Sequence, residues 1–287
     1  MNEMGVFLID KPEGITSFDV IGILRKKTQI KKIGHTGTLD PFATGLLAVC
    51  VGKATRIADM ISTKNKTYQA KIILGAKTDT GDHTGKIIKK TIIYENISSN
   101  LDKIIPEILA IKEQIPPKFS AKKVDGKRAY KLARNNVEFD LKPNPIQIEK
   151  FQIIDIDLPF LTYEATVSKG TYIRVLSETL AEKLGTVATT TELRRIKIGN
   201  LFVENSVKLE KITPQNWRKF LIPLENIFTD FPKIKLAANE VLNFGNGREL
   251  MVEEEDQEKI MVVGEDKKCM GFARIEHNKL KPKLVLI

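Results

Sequence analysis

Apolar residues fall into short runs along this chain, and the period of the pattern changes from run to run. Gly5 to Ile9 is continuously apolar and closes at Lys11-Pro12, which predicts a buried strand that proline ends. Thr16 and Ser17 precede Val20, Ile21 and Leu24, a spacing that predicts a helix with a hydroxyl N-cap. Three glycines and a proline between Gly34 and Gly45 predict a loop, and Leu46 to Val51 predicts a fully buried strand. From Thr67 to Leu74 the pattern alternates, placing Tyr68, Ala70, Ile72 and Leu74 on one face. The stretch TDTGDHTG predicts a turn-rich loop, Leu101 to Lys112 a helix, and Gln114 to Gly126 a proline-bounded basic segment. Gly126 to Arg134 leads into a further helix. Ile146 to Asp157 and Thr162 to Val167 predict strands, and Ile173, Leu176, Leu180 and Leu184 mark a helix that Gly185 stops. A tail of short strands and turns begins at Phe231-Pro232.

Strands outnumber long helices and cluster in antiparallel-looking pairs. That is an α+β pattern, not the alternation of a doubly wound sheet. A boundary near residue 230 is expected, with a small β-rich unit beyond it.

Composition narrows the setting. A chain of 287 residues with 42% hydrophobic and 29% charged residues can bury a proper core. No apolar run approaches the length of a membrane span, and MNEMGVFLIDKPEG lacks the regions of a signal peptide. Cys50 and Cys269 cannot by themselves build a disulfide framework or a zinc site. The expected environment is the reducing cytoplasm, with no membrane contact and no metal. A net charge of +10 points to a polyanionic partner, although lysine-rich solvated faces produce the same balance. The excess is uneven. Seven basic residues face one acid, Asp125, between Lys118 and Arg134, while EEED near Glu253 reverses the sign.

Candidate chemistry concentrates in GHTGTLDPFATGLL, residues 34–47. One carboxylate, Asp40, stands in a glycine-rich loop before a buried strand. Pro41 biases Asp40 toward extended backbone, and the glycines allow a bulky ligand to approach the main chain. A lone Asp-Pro commonly only starts a turn, but that reading leaves the surrounding His, Thr and Gly residues unexplained. Asp79, Asp82 and His83 invite a metal-site reading; their spacing does not fit a calcium loop, and a self-hydrogen-bonded turn is expected instead.

The segment resembles the nucleophile motif of the TruB family of pseudouridine synthases. DKPEGITS, KTYQA, TDTGDHTG, PPKFSAKKVDGKRAYKLAR and KGTYIRVLSETLAEKLG match further family segments in order, covering roughly residues 5 to 200. Phe119 departs from the family's usual Tyr, and Asn200-Leu201 from a small residue followed by Pro. The resemblance implies a mixed, largely antiparallel synthase domain over 1–230, with an RNA-binding insertion around 75–145. A PUA-like RNA-binding domain is implied over 231–287.

It further implies isomerisation of uridine 55 in the T-loop of tRNA, without cofactor, by a monomer needing no obligate protein partner. Asp40 matches the catalytic aspartate; whether it attacks the base, attacks C1′ or removes a sugar proton stays open. Tyr68 matches the tyrosine that stacks on the base and is a candidate for the C5 proton; alternation alone reads it as core. Arg174 matches the partner of the catalytic carboxylate, and Tyr172 and Leu193 match pocket-lining positions. His35 matches a residue that wedges into the T-loop, and Lys11 and Pro12 are expected to brace the site from behind. The basic stretch 118–134 is expected on phosphates. Two other readings remain: a tRNA-binding chaperone acting on the elbow, and a guide-dependent relative.

Overall fold

The computed structural model describes residues 3–93, 97–120, 122–124, 126–135 and 137–287. Among them no helix is long and apolar enough to cross a membrane.

The GVFLIDK run forms β1 (Gly5–Lys11), which extends two residues beyond the apolar stretch. Helix α1 (Ser17–Thr28) starts at Thr16, whose hydroxyl accepts from the Asp19 amide while the Asp19 carboxylate accepts from the Thr16 amide. The expected loop 34–45 is trimmed at both ends, by β2 (Ile33–His35) and by β3 (Thr44–Val51). Next come β4 (Lys66–Leu74) and α2 (Ile97–Leu109). The α2 helix begins a turn earlier than Leu101, because Ile97, Leu101, Ile104 and Ile108 form one buried stripe against the sheet. A short helix α3 (Ala129–Arg134) follows; Asp125, the lone acid of that basic stretch, lies outside the described residues. The chain continues through β5 (Ile148–Asp157), β6 (Phe160–Val167), α4 (Ile173–Lys183), β7 (Ala188–Ile198) and β8 (Val207–Lys208).

These strands build one sheet in the order β5-β6-β4-β7-β3-β1-β8, with β2 on β3. It is mixed: β7 with β3 and β1 with β8 run parallel, and the other pairs antiparallel. The α+β reading holds. Its central member β7 lies outside the strands the apolar pattern predicts, although Val187 and Thr189 to Thr191 carry the β-branched signal.

Period-two alternation assigns the two faces. Phe7, Ile9, Leu47, Val49, Tyr68 and Ala70 point toward α1, α2 and α4. Val6, Leu8, Leu46, Ala48 and Cys50 point the other way, toward a second sheet near the C-terminus. That sheet comprises β9 (Lys233–Lys235), β10 (Leu250–Met251), β11 (Gln257–Val263), β12 (Cys269–Glu276) and β13 (Lys279–Val285), ordered β9-β11-β12-β13-β10. Met261, Val263, Phe272 and Leu286 join Val6, Leu8 and Phe228 in one apolar cluster, and Phe228, Phe231 and Phe272 meet edge-on at 5.2–5.7 Å.

This shared cluster has a consequence for truncation. Ending the chain before Phe231 strips apolar cover from β1 and β3, so the melting temperature should fall by well over the ~4 °C that about 1 kcal/mol moves a domain of this size. Calorimetry on the shortened chain checks this; an unchanged melt would mean the contact contributes nothing.

Candidate active site

The cleft lies where the loop 36–43, the ends of β4 and β7, and the start of α4 converge. Its volume is about 300 Å³, and its lining includes Asp40, Lys66, Tyr68, Tyr172, Arg174 and Arg195. Leu193, from β7, closes one wall.

The loop carrying Asp40 is clamped by the N-terminal motif. Buried Ser17 bonds Leu39 twice, accepting from its amide at 2.8 Å and donating to its carbonyl at 3.2 Å. The Gly14 amide donates to the Pro41 carbonyl at 2.9 Å. Lys11 is fully buried, and its ammonium donates to the carbonyls of Pro12, Ile15 and Pro41 at 2.8, 2.8 and 3.2 Å. Burial pushes the Lys11 pKa down to about 8, with Asp40 pulling it back up. Lys11 thus sits beneath the loop as a bracket. Pro12 takes part through its carbonyl.

Arg174 is the hub of the cleft. As the second residue of α4 it is almost wholly buried and directs its guanidinium at two loops. Nε meets Asp40 Oδ2 at 2.9 Å and Nη1 meets Asp82 Oδ2 at 3.5 Å. Nη1 also donates to the Thr80 carbonyl at 2.7 Å, and Nη2 to the Phe119 carbonyl at 2.9 Å. The second of these uses the Phe119 main chain, so this bond does not depend on the departure from Tyr. Asp82 is held in turn by the hydroxyls of Thr80 and Thr84 and by the Thr84 amide. The expected self-bonded turn exists, but its buried acid also faces Arg174.

Asp40 keeps about a third of its side chain open to the cleft. Its carboxyl pKa is nevertheless raised above the ordinary 3.8, chiefly by desolvation. Arg174 and Lys11 oppose the shift, and neighbouring Asp82 adds to it. The carboxylate is therefore held close to a cation yet poorly hydrated, a state that favours reaction with an electrophile.

On the opposite wall, Tyr68 is nearly buried, and Leu193 stands directly across the β4–β7 ladder from Ala70. The guanidinium nearest the Tyr68 hydroxyl belongs to Arg195: Nη1 lies 3.5 Å from the phenol oxygen, and the group lies 6.0 Å from the ring centre. Arg195 had drawn no attention in the sequence. The alternation of β7 sends Arg194 to one face, where it forks onto Asp10 with two 3.0 Å bonds, and Arg195 to the other. Gly45 makes this possible. At φ +97°, any Cβ there would lie 2.3 Å from the Arg195 carbonyl oxygen, so only glycine lets β3 reach β7.

Tyr172 caps α4 by position. Its amide and carbonyl are both bonded by the Gln114 side chain, at 2.7 and 3.1 Å. Burial raises its phenol pKa, with neighbouring Ser120 working against it. His35 is not part of the lining. It stands on β2, half-buried, with Nδ1 buried and without a hydrogen-bond partner among the described residues, and burial together with Arg195 lowers its pKa. Among the described residues no group of three or more His, Cys, Asp or Glu is placed to hold a metal ion.

Residues 25–173 match the model described as "TruB family pseudouridylate synthase (N terminal domain)". A "tRNA pseudouridine synthase B" from Aquifex aeolicus is 36% identical over 289 residues, covering 99% of both chains. Proteins of the same name from Clostridium tetani and Fusobacterium nucleatum are 42% and 41% identical, covering 81% and 96% of this chain and 80% and 97% of their own. Among solved structures, a chain in "Crystal Structure of a Cbf5-Nop10-Gar1 Complex" aligns with TM-score 0.72 at 22% identity, over 99% of this chain and 85% of that one. At that identity the likeness concerns the fold.

Proposed function

The chain belongs to the TruB family of pseudouridylate synthases, and we propose that it isomerises uridine 55 in the T-loop of tRNA with Asp40 as the nucleophile. The observation that carries this reading is the Asp40 carboxylate, open to a small cleft and held at 2.9 Å by buried Arg174. The reaction breaks the bond from C1′ to N1, turns the base and joins C1′ to C5; C5 loses its proton and N1 takes one up, so the atoms balance. It involves no net oxidation, so one carboxylate, a base platform and a proton acceptor suffice. Tyr68 supplies the aromatic face, Tyr172 and Leu193 shape the pocket, and Arg174 compensates the anion. Nucleoside mapping by mass spectrometry of tRNA exposed to the purified protein tests the assignment. Pseudouridine at a position other than 55, or none, would overturn it.

A uridine in a folded T-loop must leave its stack before it reaches such a cleft, at a cost of a few kcal/mol. His35 is suited to fill the vacated space, since burial favours its neutral ring and Nδ1 has no partner among the described residues. His35→Ala should then weaken productive binding by about 1–3 kcal/mol, as for a lost stacking contact, and leave the chemical step intact. Single-turnover rates across enzyme concentration separate the two. A defect that persists at saturation would make His35 a chemical group.

The basic stretch 118–134 and the C-terminal unit 231–287, read as PUA-like, are assigned to RNA contact. The protein acts as a monomer without an obligate protein partner in this reading. Gel filtration with and without tRNA checks that last point.

A further inference from the structure

Around the cleft, Asp40 sits among mixed charges, whereas a second set of cations has no counter-ion among the described residues. Asp40 interacts with Arg174, Asp82 and Lys11, so two acids are matched by two cations. Lys66, at the start of β4, interacts instead with Arg195 and Lys169, which are cations too. All three line the cleft.

Arg195 is 1% exposed and spends its donors on neutral acceptors. Nε donates to the Leu46 carbonyl at 2.7 Å, Nη2 to the Gly37 carbonyl at 3.1 Å, and Nη1 approaches the Tyr68 hydroxyl. Lys66 is 6% exposed, and its ammonium donates to the carbonyls of Ser62 and Lys64. Lys169 stands exposed on the loop before α4. None of the ion pairs among the described residues includes any of the three. Burial and the two neighbouring cations hold the Lys66 pKa down to about 8. Buried cations without an acid are costly, and an arriving anion relieves both their desolvation and their mutual repulsion.

We propose that Arg195, Lys66 and Lys169 form an anion subsite that takes one backbone phosphate flanking the uridine bound beside Asp40. The inference rests on the reading of the cleft as a uridine site. A uridine delivered from a polynucleotide brings a phosphate on each side, and these are the charges RNA carries. Arg195 joins the subsite to the base platform: it contacts the Tyr68 hydroxyl and borders the Asp40 loop at Gly37. A phosphate bound here fixes the target nucleotide at the point where its base must turn.

The test uses T-arm hairpins carrying a neutral methylphosphonate at either linkage flanking the target uridine. Filter binding and C5-tritium release are read for the parent, Lys169→Gln, Lys66→Gln and Arg195→Gln. One linkage should cost the parent about 10- to 100-fold in affinity, the range of one charge-assisted contact. The same replacement should cost the variants only a few-fold more than their own loss. Lys169 is exposed, so its variant reports on an intact fold even if the buried substitutions lower the melting temperature. The Lys169 variant should also reduce the slope of log affinity against log salt by roughly 0.7–0.9, one phosphate contact. Parent binding that is indifferent to both neutral linkages overturns the subsite, as does an equal loss in the parent and all variants. An unmodified hairpin that binds but never releases tritium would overturn the isomerase reading alone, because the subsite is still scored by affinity.

Discussion

Asp40→Asn should eliminate detectable isomerisation while tRNA affinity stays within about tenfold, or 1.4 kcal/mol. The amide keeps the shape of the carboxylate and remains beside Arg174, but it is a poor nucleophile. Arg174 retains Asp82 and two carbonyls, so the variant does not leave a bare buried guanidinium. C5-tritium release measures turnover and filter binding measures affinity; substantial release by the variant would remove Asp40 from the mechanism.

The same substitution carries a stability forecast with a definite sign. The folded-state pKa of Asp40 is raised above 3.8, so the native state holds the proton more tightly than the unfolded chain does. Stability from this group is therefore greatest below the unfolded value and declines as pH rises through the folded value. At neutral pH the ionised carboxylate destabilises the fold. Asp40→Asn should melt no lower than the parent at pH 7, and its advantage should vanish in acid. The acid limb of the parent's single-turnover rate should likewise lie above 3.8, because the ionised form reacts.

Tyr68→Phe should lower the single-turnover rate at least about a hundredfold with binding close to normal, the smaller end of what a lost general base costs. Phenylalanine preserves the aromatic face, so a pure stacking role forecasts almost no change. The hydroxyl, however, has Arg195 Nη1 at 3.5 Å, a cation positioned to stabilise negative charge developing on the phenol oxygen. Arg174 is committed elsewhere, to Asp40, Asp82 and two carbonyls. Asp40 is the rival acceptor of the C5 proton. A rate within a few-fold of the parent would reduce Tyr68 to a platform and pass the proton to Asp40 or water.

Much of the site is legible in the sequence. Asp40, Tyr68, Tyr172 and Arg174 lie on segments whose motifs mark them, Leu193 matches a pocket-lining family position outside those segments, and all five line one cleft. Lys11 was expected behind the site and sits there, bonded to the Pro41 carbonyl. His35 was flagged as well but stands beside the lining rather than in it. Arg195, Lys66 and the second role of Asp82 were missed. Arg194 and Arg195 look alike in a string of letters. They differ only because a strand sends neighbours to opposite faces, and β7 had not been recognised as a strand.

What the sequence determined by itself is local: the apolar runs that become β1 and β3, the capping box of α1, the alternation of β4 and the carboxylate between glycines. Each depends on residues within a few positions of one another, where period and cap chemistry act directly. What only the tertiary structure decided is long-range. Ser17 meets Leu39, Arg174 meets both Asp40 and Asp82, and Gly45 admits Arg195 across a parallel pairing. The second sheet covers one face of the first through Phe272 and Met261. Burial and net charge at a point in space sum over every segment that arrives there. No window of sequence contains that sum, so the raised pKa of Asp40 and the unmatched cations around Arg195 exist only once the chain has closed on itself.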